Sequence, residues 1–293
     1  MEEYQGFERR SLDNEHIKAR KTQFKFPKDI PKYWLGGNAV RTHLVNSMNM
    51  FFPPFERMIM RVSIKSTMPL LNDEHLIAQL QGFIAQEETH AQAHASFIDN
   101  IEAQGYKISR YNRFLGWFFS NFLEKTVSHI YSISIVAGFE HYTDILAGLI
   151  LKQDFLDDCE PRMKELLQWH AAEEVEHSQV PFDVLQAIDN RYWVRMVGNV
   201  GGLSLMLGFV LFGTCFLLYQ DKRLFKIDTF KNFGELFFTK YKLTQEITKL
   251  FFEYSRRDFN KVSKDHYNDL ASEILEPNQK IFSGELAPNK ASS

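Results

Sequence analysis

The chain has 293 residues, 44% of them hydrophobic and 27 of them Phe, enough for a sizeable core in one large or two small domains. A net charge of −3 without a basic stripe argues against nucleic acid as a partner. Two cysteines, Cys159 and Cys215, exclude a disulfide framework and fit a reducing compartment. With only 15 Gly and 9 Pro, long helices are favoured over a turn-rich β fold, and the expected class is all-α.

The opening Met-Glu-Glu-Tyr is acidic and lacks an apolar stretch. No cleavable signal peptide is therefore expected, and the protein is placed in the cytoplasm or on the cytoplasmic face of a membrane. Residues 1–37 are mixed and charged, with Pro27 and Pro31 limiting helix, and read as an extended segment on the surface. Residues 38–190 read as a helical bundle. Its first helix runs from about Ala39 to Phe51, is interrupted at Pro53-Pro54, and restarts over Phe55–Val62. Asn72-Asp73 caps a second helix that runs to Gln104, with Gly105 as its stop. A third is expected from about Arg113 to Gln153. A fourth runs from Pro161 to Ile188, with a kink near Pro181.

Three of these helices carry apolar seams at strict 4-3 spacing, and each seam is broken by ionisable residues. The second reads Leu76, Leu80, Phe83, Glu87, His90, His94, Phe97, Ile101. The third reads Ile130, Ile133, Ala137, Glu140, Asp144, Ala147, Leu151. The fourth reads Met163, Leu167, His170, Glu174, His177, Pro181, Val184, Ile188. Carboxylates at core positions are costly unless something compensates them. A salt-bridge network would want Arg or Lys on the same seams, and none is there. A metal centre compensates instead. Glu56, Glu87-x-x-His90, Glu140 and Glu174-x-x-His177 form the set with which helical bundles hold two metal ions, one Glu from each of two helices and a Glu-x-x-His from each of the others. Carboxylates bridge two cations, and each imidazole terminates one.

The other polar residues are weighed separately. His170, one turn before Glu174, is expected as an additional ligand. His94 is either a ligand or a hydrogen-bond partner of a ligating carboxylate. Asp144 is expected to orient a ligand rather than bind metal. Glu173 is a ligand alternative to Glu174, which alone pairs with His177 at i, i+3. Glu88 and Glu176 lie off the seams and read as solvated or helix-contact charges, and His141 lies one position off the face of Glu140. The absence of His-Glu-x-x-His excludes a zincin, and no cysteine motif supports a sulfur-ligated zinc.

On these residues the chain resembles a known family, the bacterial predicted metal-dependent hydrolases of the ferritin-like superfamily. The resemblance covers roughly Pro31 to Val194. It is carried by Phe52-Pro53-Pro54-Phe55-Glu56-Arg57, Gln86-Glu87-Glu88-Thr89-His90-Ala91-Gln92-Ala93-His94, Phe139-Glu140-His141-Tyr142-Thr143 and Trp169-His170-Ala171-Ala172-Glu173-Glu174-Val175-Glu176-His177. It implies a ferritin-like four-helix bundle around a dimetal site. Phe55 stands where that family usually has Gly. More remotely, the His170-x-x-x-Glu174-x-x-His177 helix is similar to the diiron arylamine N-oxygenases, in which the added His is a third imidazole ligand.

Oxygen and nitrogen donors without sulfur suit two iron ions, with manganese as the alternative and zinc less suited. The expected function is an enzyme that uses O₂ and an unnamed electron donor to oxidise an apolar small-molecule substrate. The alternatives are a hydrolase with a dimetal-activated water and an iron-binding ferroxidase.

Residues 191–224 read as a separate hydrophobic helix, since Met196 to Tyr219 carries no Asp, Glu, Lys or Arg. As a helix it is about 36 Å long, enough for a bilayer core of about 30 Å. Its glycines suit a membrane helix, and monotopic membrane association is the expected reading, with a buried fifth helix as the alternative. Residues 225–293 read as Phe-rich amphipathic helices and a polar tail from about Asn278.

Overall fold

A computed structural model of the protein describes residues 17–152, 154–260 and 265–275, except the side chains of 144, 145, 152 and 265–268. Asp144 is thus on a helix, but its side chain lies outside the described residues, as do residues 1–16 and the tail from 276. The described chain is all-helical. In order, the helices are α1 (Ala39–Val62), α2 (Glu74–Ala103), α3 (Ser109–Trp117), α4 (the single turn Glu124–Thr126), α5 (His129–Lys152), α6 (Pro161–His177), α7 (Val180–Ile188), α8 (Tyr192–Gln220), α9 (Ile227–Gly234), α10 (Leu243–Tyr254) and α11 (Asp265–Leu275). The bundle is α1 against α2 and α5 against α6 and α7, with α8 laid along α5 and α1.

The seams lead inward as their spacing predicts. Leu80, Phe83, Phe97 and Ile101 of α2, Ile133 and Ala137 of α5, and Met163 of α6 are all essentially inaccessible. Asp73 caps α2, its side chain accepting from the backbone N–H groups of His75 and Leu76, and Gly105 adopts φ +95 at the stop.

Three boundaries differ from the sequence reading. First, α1 does not break at Pro53-Pro54 but runs through them. The rings remove two helical donors, yet Phe51, Phe52 and Phe55 are buried around them, and this packing outweighs the local cost. Asn49, Phe52 and Glu56 therefore stay on one continuous helical face. Second, the expected helix from Arg113 to Gln153 is two. After α3 the backbone passes through a wider turn, Phe118–Leu123, and reaches an extended Val127 (φ −96, ψ 131) before α5 begins. Thr126 and Val127 are β-branched, and Ser128 is a favoured N-cap type, so the break has a local cause. Third, the kink expected near Pro181 is an interruption of the helix at residues 178–179. Helix α6 ends at His177, and Pro181 sits in the first turn of α7.

Residues 17–37 of the N-terminal segment form a strap without helix whose side chains are mostly exposed or half-buried, but it is anchored. Phe24, Ile30, Trp34 and Leu35 are buried, and Phe24 packs on Trp169 with ring centres 5.4 Å apart.

Helices α5 and α8 approach closely through small residues. A Cβ on Gly138 would meet the Gly198 carbonyl oxygen at 2.3 Å, and one on Gly202 would meet the Phe139 nitrogen at 2.5 Å. The glycines of α8 at this contact thus serve packing on α5. Both α5 and α8 are long and apolar enough to cross a membrane by length and composition alone. The apolar window of α5 is 88% buried and belongs to the core, whereas that of α8 is 33% buried.

Candidate metal centre

Glu56 of α1, Glu87, His90 and His94 of α2, Glu140 of α5, and His170, Glu174 and His177 of α6 are all buried. They fall into two groups, each offering donor atoms within 4.8 Å of one another: Glu87, His90, Glu174 and His177 in one, Glu56, His94 and His170 in the other. Both Glu-x-x-His pairs thus converge on the same group, whereas the sequence reading gave each imidazole its own ion. Glu140 adjoins that group, its Oε2 3.6 Å from Nε2 of His177.

The outer nitrogens of His177, His90 and His94 are committed, which bears on what the inner ones present. His177 donates from Nδ1 to Oε1 of Gln86 at 2.9 Å, and the Gln86 amide nitrogen donates to Glu176 at 2.8 Å. His90 donates from Nε2 to Glu173 at 3.0 Å. His94 donates from Nδ1 to Asn49 Oδ1 at 2.8 Å, while Asn49 Nδ2 donates to the Val45 carbonyl. In a neutral ring the inward nitrogen is then the lone pair, and those of His90 and His177 face carboxylate oxygens. Nδ1 of His90 lies 3.6 Å from Glu174 and 3.8 Å from Glu87. Nε2 of His177 lies 3.2 Å from Glu87 and 3.5 Å from Glu174. Nε2 of His94 faces Nδ1 of His170 at 2.5 Å, and the other nitrogen of His170 lies 2.7 Å from Glu174.

Acceptors converging on acceptors in a buried site need protons or cations between them. Glu56 Oε2, Glu87 Oε1, Glu174 Oε2, His90 Nδ1 and His177 Nε2 are buried without a hydrogen bond from the protein. Burial raises the Glu56 and Glu140 carboxyls well above the usual range, and neighbouring carboxylates push them further. Glu87 is also raised by burial, against the opposing pull of His177. Burial acts the same way on Glu174, but His177 and His170 outweigh it and hold that carboxyl low. Burial would lower His177, yet the carboxylates around it hold its ring well above the ordinary value. Burial depresses His90 and His94. Positive charge is wanted at the centre of this cluster, and metal ions would supply it, held by the oxygen and nitrogen donors present. The residues thus fit a dimetal centre, with metal identity left open by the donor set.

Several contributors are not on the expected set. Arg20 of the N-terminal segment donates to Glu176 through two nitrogens, each at 2.7 Å, and to Glu173 at 3.1 Å. Glu173 is therefore the partner of the His90 outer nitrogen, and Glu176 is not merely solvated but closes a ring that runs His177, Gln86, Glu176, Arg20, Glu173, His90. Asn49 and Gln86 share helical faces with Glu56 and His90, a signal the spacing held. No spacing rule connects Arg20 to α6. His141 is structural, its Nε2 3.0 Å from the Leu250 carbonyl oxygen of α10.

A narrow cleft of about 40 Å³ ends on His94, His170 and Glu174. Leu44, Met48, Phe52, Leu146, Ile150 and Phe155 give it apolar walls. The ring of Phe52 stands against both imidazoles, its centre 5.0 Å from His94 and 5.1 Å from His170. A larger surface depression of about 390 Å³ beside Asp157, Lys164 and Gln168 touches none of the clustered residues, whereas the smaller cleft reaches them.

A family model described as predicted metal-dependent hydrolase matches residues 18–265. The chain belongs to this family. The match extends beyond the bundle, from the strap that carries Arg20 to the start of α11. No curated protein and no solved structure matches.

Proposed function

We propose that this hydrolase-family protein is a two-metal enzyme, with Glu87, His90, Glu174, His177 and Glu140 holding one ion and Glu56, His94 and His170 the other. The observation that carries this reading is the convergence of lone pairs and carboxylate oxygens in a buried core. Its reaction is read first as hydrolysis, which the family description supports. Two cations bound there would polarise a carbonyl or phosphoryl oxygen and acidify a water. The chain's own part is positioning. Asn49 and Gln86 set the imidazole tautomers, and the apolar walls exclude bulk water and seat an apolar substrate body. The cleft is narrow, so a substrate has to part its apolar walls.

A second reading, oxidation of an apolar molecule by O₂ with iron in both positions, is favoured by a different observation. Apart from His94, His170 and Glu174, the cleft's polar side chains are Asn49, already committed to His94, and Thr143, whose hydroxyl donates to the Glu140 carbonyl. No side chain is left there to protonate a leaving group. One comparison separates the two. Protein loaded with zinc or manganese and kept free of O₂ should cleave apolar-bodied ester or phosphoester substrates. Failure to do so, together with O₂ uptake by iron-loaded, reduced protein, would replace hydrolysis with oxidation.

A further inference from the structure

The inward side of α8 is buried along its length by Gly198, Gly202, Met206, Val210 and Leu217. Its outward side is apolar too. Trp193 (71% exposed), Val197, Val200, Phe212 (60%) and Tyr219 form an open stripe, and no charged side chain interrupts it from Met196 to Tyr219. The stripe widens onto α3 and the turn after it, where Phe118 packs on Phe209 with ring centres 5.0 Å apart and Phe114, Trp117 and Phe122 are exposed. Past the end of α8 in the chain, Phe225 (79%), Ile227 and Phe230 are exposed as well. A soluble monomer rarely presents so large a continuous apolar face.

The margin of this face says what covers it. The backbone N–H of Lys107 donates to Oε1 of Gln220 at 2.8 Å, which sets the start of α3 beside the end of α8. Exposed Lys107 and Arg110 thereby meet exposed Lys222 and Lys226. The acids nearby do not cancel them: Asp221 is buried among its own partners, and Asp228 accepts from Arg223 at 2.9 Å. An apolar stripe with Trp and Tyr near its ends and a basic margin matches the acyl boundary and anionic headgroups of a lipid leaflet. We propose that α8, the α3 turn and the start of α9 seat the protein flat on an anionic membrane surface. The helix does not span. Arg195 and Asn199 on its inward side bond to carbonyls of Tyr254 and Phe251, and its whole inward flank is fixed to the helices that carry the metal-site residues.

One wall of the cleft connects to the chain that follows α9. Phe155, a cleft wall, packs on Tyr241 with ring centres 5.2 Å apart, and Tyr241 follows the turn that exposes Phe238. A substrate could pass from the leaflet to the cleft by this edge. That route rests on the proposed function, whereas the membrane seat does not, and its test reads no activity.

The test is co-sedimentation of the full metal-loaded chain with vesicles of phosphatidylcholine alone or of equal parts phosphatidylcholine and phosphatidylglycerol. The mixed vesicles should bind at least about 10-fold more tightly at low salt, with the excess lost at high salt. Lys107→Glu with Lys222→Glu and Lys226→Glu should abolish that excess. Phe225→Ser with Phe230→Ser should weaken binding to both vesicles. All five positions are exposed, so helical circular dichroism should be retained. Equal binding by the charge-reversed and parent chains, or no sedimentation of the parent with either vesicle, would overturn the proposal. So would a lipid-free dimer that Phe212→Asn converts to monomer, since a second copy would then cover the face.

Discussion

Arg20 stands 153 positions before Glu173 in the chain and donates to it at 3.1 Å, and Glu173 in turn accepts from the outer nitrogen of His90 at 3.0 Å. A residue of the N-terminal strap thus sets the orientation of an imidazole on α2 through a carboxylate on α6. Outer partners of this kind fix ligand geometry and basicity, and their loss costs about 10–100-fold in metal affinity. Arg20→Ala should lower affinity by that factor, measured by competition with a chelator. Arg20→Lys should recover only part of it, because an ammonium cannot fork between Glu173 and Glu176.

Glu174 and Glu176 look alike on paper and differ in space. Glu174 lies among the converging donors, whereas Glu176 receives Arg20 and Gln86 from outside. Glu174→Ala should abolish tight metal binding. Glu176→Ala should weaken it about 10-fold by loosening Gln86, and with it His177. Isothermal titration of the two variants gives the ratio.

The strict 4-3 seams of α2, α5 and α6 made the bundle and the intruding ionisable residues legible, because the helical period alone decides which side chains share a face. Glu56, Glu87, His90, His170, Glu174 and His177 are all found in the two clustered groups, and Glu140 lies beside one of them. His94, weighed between ligand and hydrogen-bond partner, has its inner nitrogen in the second group. What stayed hidden has physical reasons too. Arg20 acts across a long loop closure that no local spacing encodes. Tertiary packing carries α1 through Pro53-Pro54 against local preference. The wide turn of Phe118–Leu123 has no periodic signature.

Helix α5 brings Glu140 to the cluster while pressed on α8 through Gly138, so the small residues there have a measurable role. A side chain on Gly138 would collide with the backbone of Gly198. Gly138→Val should force the helices apart, destabilise the protein by about 1–3 kcal/mol and weaken metal binding at Glu140. Gly116→Ala, at an open position, is the control. Thermal melts with and without metal separate the two effects.

Asp221, at the end of α8, supplies a pH dependence remote from the metal cluster. Burial alone would raise its carboxyl, but hydrogen bonds from His43 (2.7 Å), Lys32 (2.6 Å) and Tyr106 (2.7 Å) outweigh it and hold the group below the usual carboxylate range. A carboxyl depressed in the fold stabilises it above the ordinary pKa and loses that contribution as pH falls through that value and toward the folded one. Asp221→Asn should therefore cost about 1–3 kcal/mol near neutral pH, and the gap to the parent should close below about pH 4. The melting temperature of both proteins across that range checks it.

The most direct test of the dimetal account is a count of ions bound per folded chain. Metal-free protein titrated with ferrous iron or manganese and weighed by native mass spectrometry should take up two ions. His94→Ala with Glu56→Gln should hold one, while the Glu87, His90, Glu174 and His177 group remains filled. A parent chain that saturates at one ion, or that takes up none and keeps its buried carboxyls protonated, would contradict the account.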